Sequence, residues 1–354
     1  MPALTTLLLK LPRNQDITPE AAKTFLSALT QINSVSTFQR LLGTRPHPLA
    51  LEIAAINQQI QFLITCDNEL VPFVKTQIQS SYPLVIIEKV EDPILSRDME
   101  IIELKLAKGS YYPIGTYDKF ADVDPISSTL SVLSKVEPTE FAIIQISLEG
   151  TRGVWQSKAN QYADRGVKNE DGSYQPRSDK NIIIEKTSYP GFKVSIRLAS
   201  SATKTAKELV NAFGVFARAD ANFFKKNSSI FNSVKALNKN IKIRKVVGNQ
   251  VLNIMELATL WHLPSEKIKV TGIAWGTSVL SEPPDNLPNA VTATEEEKII
   301  SIFLVKLFSK TTIQFLESKI LIAAGIFGQL VKQEQEKAPL LQTWQLTTLK
   351  KARV

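Results

Sequence analysis

Cysteine and histidine are nearly missing from this chain of 354 residues, which contains only Cys66, His47 and His262. A lone thiol cannot close an internal disulfide, so a reducing compartment is expected. Three such residues so far apart make no metal-ligand cluster of the usual spacing. Both histidines are read as structural, and no metal or other cofactor is expected. Long apolar runs are missing too. A membrane-spanning helix needs ~20 apolar residues, and the best candidate, Ile320 to Val331, falls short, with Lys306, Lys310, Glu317 and Lys319 interrupting the stretch before it. The run Leu4 to Leu9 is too short for a secretory leader and has no basic flank. These absences describe a soluble, cytoplasmic chain, peripheral to a membrane only through partners. No Ser/His/Asp set and no Gly-rich phosphate loop can be found, so an independent enzyme is not expected. Acids such as Glu103 and Glu137 read as solvated surface charges.

What is present is ordinary for a globular protein: 44% hydrophobic and 21% charged residues, in a chain long enough for two or three domains. The net charge of +8 is unevenly placed. From Ile299 onward eight basic residues face three glutamates, so five of the eight positive units belong to the tail and the rest of the chain is only mildly basic. A balance that small does not by itself indicate nucleic acid.

The order of elements predicts an α+β fold. Residues 3–11 read as a strand, Pro12 to Thr18 as a turn, and the next segment as a helix entered at Pro19 with Thr18 as N-cap and Ala22, Phe25, Leu26 and Leu29 on one face. Strands at 49–56 and 58–66 meet near Asn57. Asp67 or Asn68 can cap a second helix carrying Leu70, Phe73, Val74 and Ile78, and 83–90 is a strand. This βαββαβ order is that of a ferredoxin-like sandwich. A similar order follows: a strand at 99–107, a helix from Asp124 to Val136, a strand at 140–148, a polar insertion at 151–179, strands at 181–186 and 191–199, and a long amphipathic helix from Ala202 to Phe224. Two tandem ferredoxin-like sandwiches are therefore expected, at 1–95 and 96–250. A short helix–strand element with a Pro-rich linker follows at 251–290, and a tail whose pattern does not look native occupies 291–354.

Two stretches could carry function. Between 225 and 250, Lys225, Lys226, Lys235, Lys239, Lys242, Arg244 and Lys245 are interleaved with Phe224 and Phe231. Such a stretch could contact a nucleic-acid backbone and bases, although a solvated loop is the blander reading. The second runs from Asn253 to Pro264. Asn253 with Glu256 three residues on is a variant capping box. Ile254, Leu257, Leu260 and Trp261 share a helical face, and Leu263-Pro264 ends the helix. This helix is expected to anchor the second sandwich to its core. The rival reading makes Trp261 and His262 an exposed docking spot for a partner.

The wording ELATLWHLP (256–264), followed by AWGTSVLSEPPDNLP (274–288), resembles the region preceding the P-loop in the conjugative DNA-transfer (type IV secretion coupling) ATPases of the HerA/FtsK superfamily, in the versions found in candidate-phyla bacteria. LPRNQDITPEAAKTFLSAL and ELKLAKGSYYPIGTY are similar to their N-terminal region, and the resemblance spans roughly residues 5–298. In that family a stretch like Glu295-Glu296-Glu297-Lys298 leads to the P-loop. As translated, the equivalent segment Leu330–Pro339 has no glycine and cannot bring backbone N–H groups around phosphates. Reading the third base of each codon with the first two of the next, however, Leu330 to Pro339 permits GKTGTGKST, which fits G-x-x-x-x-G-K-[ST]. Leu321 to Gly328 likewise permits DRRRHIW. The resemblance thus implies the non-catalytic N-terminal part of a DNA-transfer coupling ATPase, truncated by a frameshift before its motor. Its partners would be homologous ATPase subunits, secretion-channel proteins or DNA. The alternative is a stand-alone α+β binding module, for which nucleic acid is one candidate ligand.

Overall fold

The computed structural model describes residues 3–276, apart from 14, 31–44, 96, 98, 121–122, 152, 171 and 229–232. All lie within the compact unit Met1–Val279. The linker at 283–289, the tail at 291–354, the shifted-frame segment and Phe231 fall outside the described residues.

The first half follows the expected order. β1 (Leu4–Lys10) leads to α1 (Glu20–Leu29), then to β2 (Leu49–Ile56) and β3 (Gln59–Asp67), α2 (Val71–Ser81) and β4 (Ile86–Val90). The β2–β3 hairpin turns on Asn57 and Gln58, with φ of 49° and 60°. Two successive left-handed residues make the tight turn whose twist matches that of the flanking strands. Ala22, Phe25, Leu26 and Leu29 of α1 are all fully buried. Thr18 does not cap α1 with its side chain. The helix starts one residue later than expected, with Pro19 at the N-cap position, and it is the Thr18 carbonyl that accepts from the Ala21 amide. Asp67 does cap, accepting from the Glu69 amide in a short 3-10 turn that leads into α2.

The second half contains β5 (Glu100–Leu106), α3 (Ser127–Leu133), β6 (Phe141–Gly150), α4 (Val154–Asp164), the hairpin β7 (Val167–Lys168) and β8 (Tyr174–Gln175), α5 (Lys180–Thr187), β9 (Gly191–Ser200), α6 (Thr203–Ala212) and β10 (Phe224–Lys226). Two expectations need correction. Residues 180–187 form a helix, not the strand suggested by three consecutive isoleucines. The buried residues are Ile183, Lys186 and Thr187, a helical spacing, while Ile184 faces solvent. The long helix from Ala202 to Phe224 is instead α6 followed by a 3-10 turn, Phe213–Phe216, and a loop into β10. The fully buried Asn222 anchors that loop: its side chain accepts from the Lys108 amide and donates to the Gly109 and Tyr112 carbonyls, which pins the chain beside β5. After β10 come α7 (Val234–Lys242), β11 (Val251–Asn253) and α8 (Ile254–Leu260).

Apart from the separate hairpin β7–β8, the described strands form one antiparallel sheet in the order β10-β5-β9-β6-β2-β3-β1-β4, with β11 added beside β9. Outward from the β2–β6 junction, each half runs through its second, third, first and fourth strand. A local twofold axis normal to the sheet therefore relates the topology of the two halves, with Glu52 and Gln145 as directly opposed residues at the junction. The expected divide near residue 95 falls between β4, at one edge of this continuous sheet, and β5, next to the strand at the other edge. A single apolar core joins one face of the sheet to α1, α2, α3, α6 and α8. The other face carries a smaller apolar cluster, including Leu63, Phe141 and Ile241 of α7.

Candidate functional site

The segment from Asn253 to Pro264 is built as a buried keystone. β11 runs beside β9 with Asn253 opposite Gly191. A Cβ at Gly191 would lie 2.6 Å from the Leu252 carbonyl oxygen, so the close approach needs glycine. The Asn253 Oδ1 accepts from the Glu256 amide at 2.9 Å, and Glu256 Oε2 accepts from the Asn253 amide at 2.8 Å. The capping box expected from the residues is formed. Its polar atoms do further work: Asn253 Nδ2 donates to the Lys186 carbonyl, and Glu256 Oε1 accepts from the Ile114 amide. Lys186 Nζ lies 3.1 Å from Glu256 Oε2 with both side chains fully buried, and donates to the Tyr112 carbonyl. Burial pushes the Lys186 ammonium below its ordinary range, with Glu256 opposing that shift.

Every residue of α8 is buried. Ile254, Leu257 and Leu260 join the main core, and Trp261 packs on Phe25 with ring centroids 6.3 Å apart while its Nε1 donates to the Glu52 carbonyl. His262 Nδ1 is 2.7 Å from the Ala258 carbonyl oxygen, and Nε2 is 3.0 Å from both oxygens of Asp124. Asp124 also accepts from the Ile126 amide ahead of α3. Trp261 and His262 are each 1% exposed. They offer no surface to a partner, so the exposed-docking reading of this pair does not hold, and Pro264 is buried with them.

The basic stretch separates into two kinds of residue. Lys225 and Lys226 lie on the edge strand β10 and are exposed, as are Lys235, Lys239 and Lys245, while Lys242 is half-buried and donates to the Leu95 carbonyl. Arg244 is not a surface candidate. It is 1% exposed, and its guanidinium binds Asp92 through both Nη atoms and Glu52 through Nε at 3.1 Å. Burial works against its charge, but Glu52 and Asp92 outweigh that and hold it above the usual arginine range. Phe224 packs edge-on against Phe213, 5.7 Å between centroids, and joins the core margin rather than a base-stacking platform.

Arg244 belongs to a polar layer, not foreseen from the residues, that lies between the sheet and α7. Glu52 Oε1 accepts from Gln145 Nε2 at 2.8 Å, and Glu52 Oε2 accepts from Thr65 Oγ1 at 2.7 Å. Gln145 Nε2 also donates to the Ile241 carbonyl of α7, and Gln145 Oε1 accepts from Arg197 Nη1. Arg197 reaches Ser147 and the Lys245 carbonyl, and its Nη2 is 3.4 Å from Glu103. Burial pushes the Arg197 guanidinium down to about 10, opposed by Glu103. Glu103 is thus a buried member of this layer, not the surface acid expected. In sequence, Glu52, Gln145 and Arg197 sit at alternate, outward-looking positions of apolar strands, which ordinarily means solvent. Only the packing of α7 over that face buries them.

Among the described residues no group of three His, Cys, Asp or Glu could hold a metal ion. None of the described helices is long and apolar enough to cross a membrane. The open surface grooves among the described residues include one between α4 and α5 lined by Asn160, Asp164, Lys180 and Thr187, and one between α3 and α6 lined by Ser128, Lys135, Lys204 and Glu208. Neither brings a nucleophile and a base together on an oriented third group.

The model of one protein family, the domain of unknown function DUF8128, matches residues 4–276. The chain belongs to that family. The matched span takes in the whole sheet, the polar layer and the α8 keystone. No curated protein matches the chain.

Proposed function

We propose that this chain is the non-catalytic N-terminal part of a conjugative DNA-transfer (type IV secretion coupling) ATPase, acting in the cytoplasm by docking to neighbouring subunits, to the secretion channel or to DNA. The observation that carries the reading is the shifted-frame sequence. GKTGTGKST is permitted across Leu330–Pro339, and DRRRHIW just upstream across Leu321–Gly328, in the place where the resembled family has its phosphate loop. The interior of the DUF8128 body supports a structural role. Its most unusual polar groups are engaged inside the body: Lys186 with Glu256, Arg197 with Glu103 and Gln145, and Arg244 with Glu52 and Asp92. Sequencing the gene through codons 295–354 and beyond tests the proposal. The expected result is an open frame, shifted after about codon 298, that encodes the P-loop and continues into an ATPase core. Codons that break GKTGTGKST, or a stop soon after it in that frame, would overturn the reading.

A further inference from the structure

Of the basic residues left over once Arg244 is taken into the interior, most fall on one side of the molecule; Lys226, opposite Leu104, is turned to the helix side. On α7, Lys235, Lys239 and Lys242 stand at i, i+4 and i+7, which an α-helix gathers into a stripe ~60° wide and ~10 Å long. Leu237 and Ile241 are the buried residues of this helix, so the stripe points away from the sheet. α7 packs against β5. On β5, Leu104 and Leu106 enter the helix-side core, which turns Lys105 to the face covered by α7. Lys105 is directly opposite Lys225 of β10. Like charges in register across two strands are destabilising unless something neutralises them. Glu103, two residues along the same face, is engaged by Arg197 and Asn227. From 225 to 250 there are seven Lys or Arg and no Asp or Glu. Among the described residues no carboxylate forms an ion pair with Lys105, Lys225, Lys235, Lys239, Lys242 or Lys245.

We propose that this face binds the phosphate backbone of nucleic acid, with the α7 stripe as its centre and Lys105, Lys225 and Lys245 beside it. The stripe is held rigidly, because Arg244, two residues past the end of α7, locks that end to Glu52 and Asp92. A lipid surface fits less well. A helix that lies in a membrane interface inserts its apolar face into lipid, whereas the apolar residues of α7 are already buried against the sheet. The inference rests on the docking role proposed above and names one partner for it. The two fail separately, since gene sequencing decides the reading frame and binding decides the partner.

Fluorescence anisotropy of the full chain with short labelled DNA, duplex and single-stranded, tests it across a salt series. Binding is expected to weaken steeply with salt. Each phosphate neutralised contributes about −0.9 to the log–log slope on duplex and about −0.7 on a single strand. The triple variant Lys235→Gln/Lys239→Gln/Lys242→Gln should melt like the parent, lose about tenfold or more in affinity at low salt, and flatten the duplex slope by about two to three units. A charge-matched control, Lys135→Gln/Lys204→Gln/Lys207→Gln on the helix side of the molecule, should bind like the parent. Equal loss in both variants, no binding to either DNA, or capture by anionic phospholipid vesicles with none by DNA would each overturn the proposal.

Discussion

At the scale of single residues, the side chains that matter most are large or charged groups with no route to water. Trp261 fills the junction between α1 and α8 and donates to the Glu52 carbonyl, so Trp261→Ala should cost ~3–5 kcal/mol in denaturant unfolding. A melting curve equal to the parent's would show that the cavity is not there to be made. Removing the charge of Arg244 leaves Glu52 buried and unpaired and Asp92 nearly so. Arg244→Ala should therefore also cost ~3–5 kcal/mol, a loss that a surface arginine would not produce. Cys66 allows a test by pH. Burial, with Asp67 adding to it, pushes its thiol from 9.0 up to about 12. Because the folded value is the higher one, the unfolded chain gives up this proton first. The contribution is fully present below pH 9 and is lost as pH rises towards 12. Stability measured across that window should fall less steeply in Cys66→Ala than in the parent.

At the scale of elements, α8 shows how a short helix is kept. Seven residues are too few to be stable alone, and the helix stands because it is capped at its start and buried along its whole length. Asn253→Ala removes the cap acceptor, a change worth about 0.5–2 kcal/mol. The upper end is expected, since the bond to the Lys186 carbonyl goes with it. Asn253→Ser keeps a cap acceptor and should recover part of that loss. Equal melting temperatures for the two variants would place the whole effect on the Lys186 contact.

At the scale of the whole molecule, the two βαββαβ halves share a sheet through β2 and β6 and share one core. The Met1–Val279 unit should therefore unfold in a single calorimetric transition, and two resolved transitions split near residue 95 would contradict a common core. The proposed function adds an expectation at the same scale. Titration with Mg-ATP should give no saturable site, because the chain as translated has no glycine loop to cradle phosphates. A stoichiometric heat of binding would reverse that.

Much of this fold is legible in the residues themselves. Apolar and β-branched content marks β1, β3 and β6, and the alternation of Phe192, Val194 and Ile196 marks β9, because a strand's side chains have a period of two whatever lies around them. The spacing of Phe25, Leu26 and Leu29, and the reciprocal reach of Asn253 and Glu256, are likewise local geometry. What needed tertiary structure is whatever depends on what covers a surface. Ile182, Ile183 and Ile184 are apolar enough for strand or helix, and only packing against α4 makes them helical. Lys235 and Arg244 belong to one basic run, yet the first faces solvent and the second closes a buried ion-pair network, because the chain past α7 folds back over Glu52 and Asp92. Composition sets how much charge a chain has; long-range packing decides which of those charges remain for a partner.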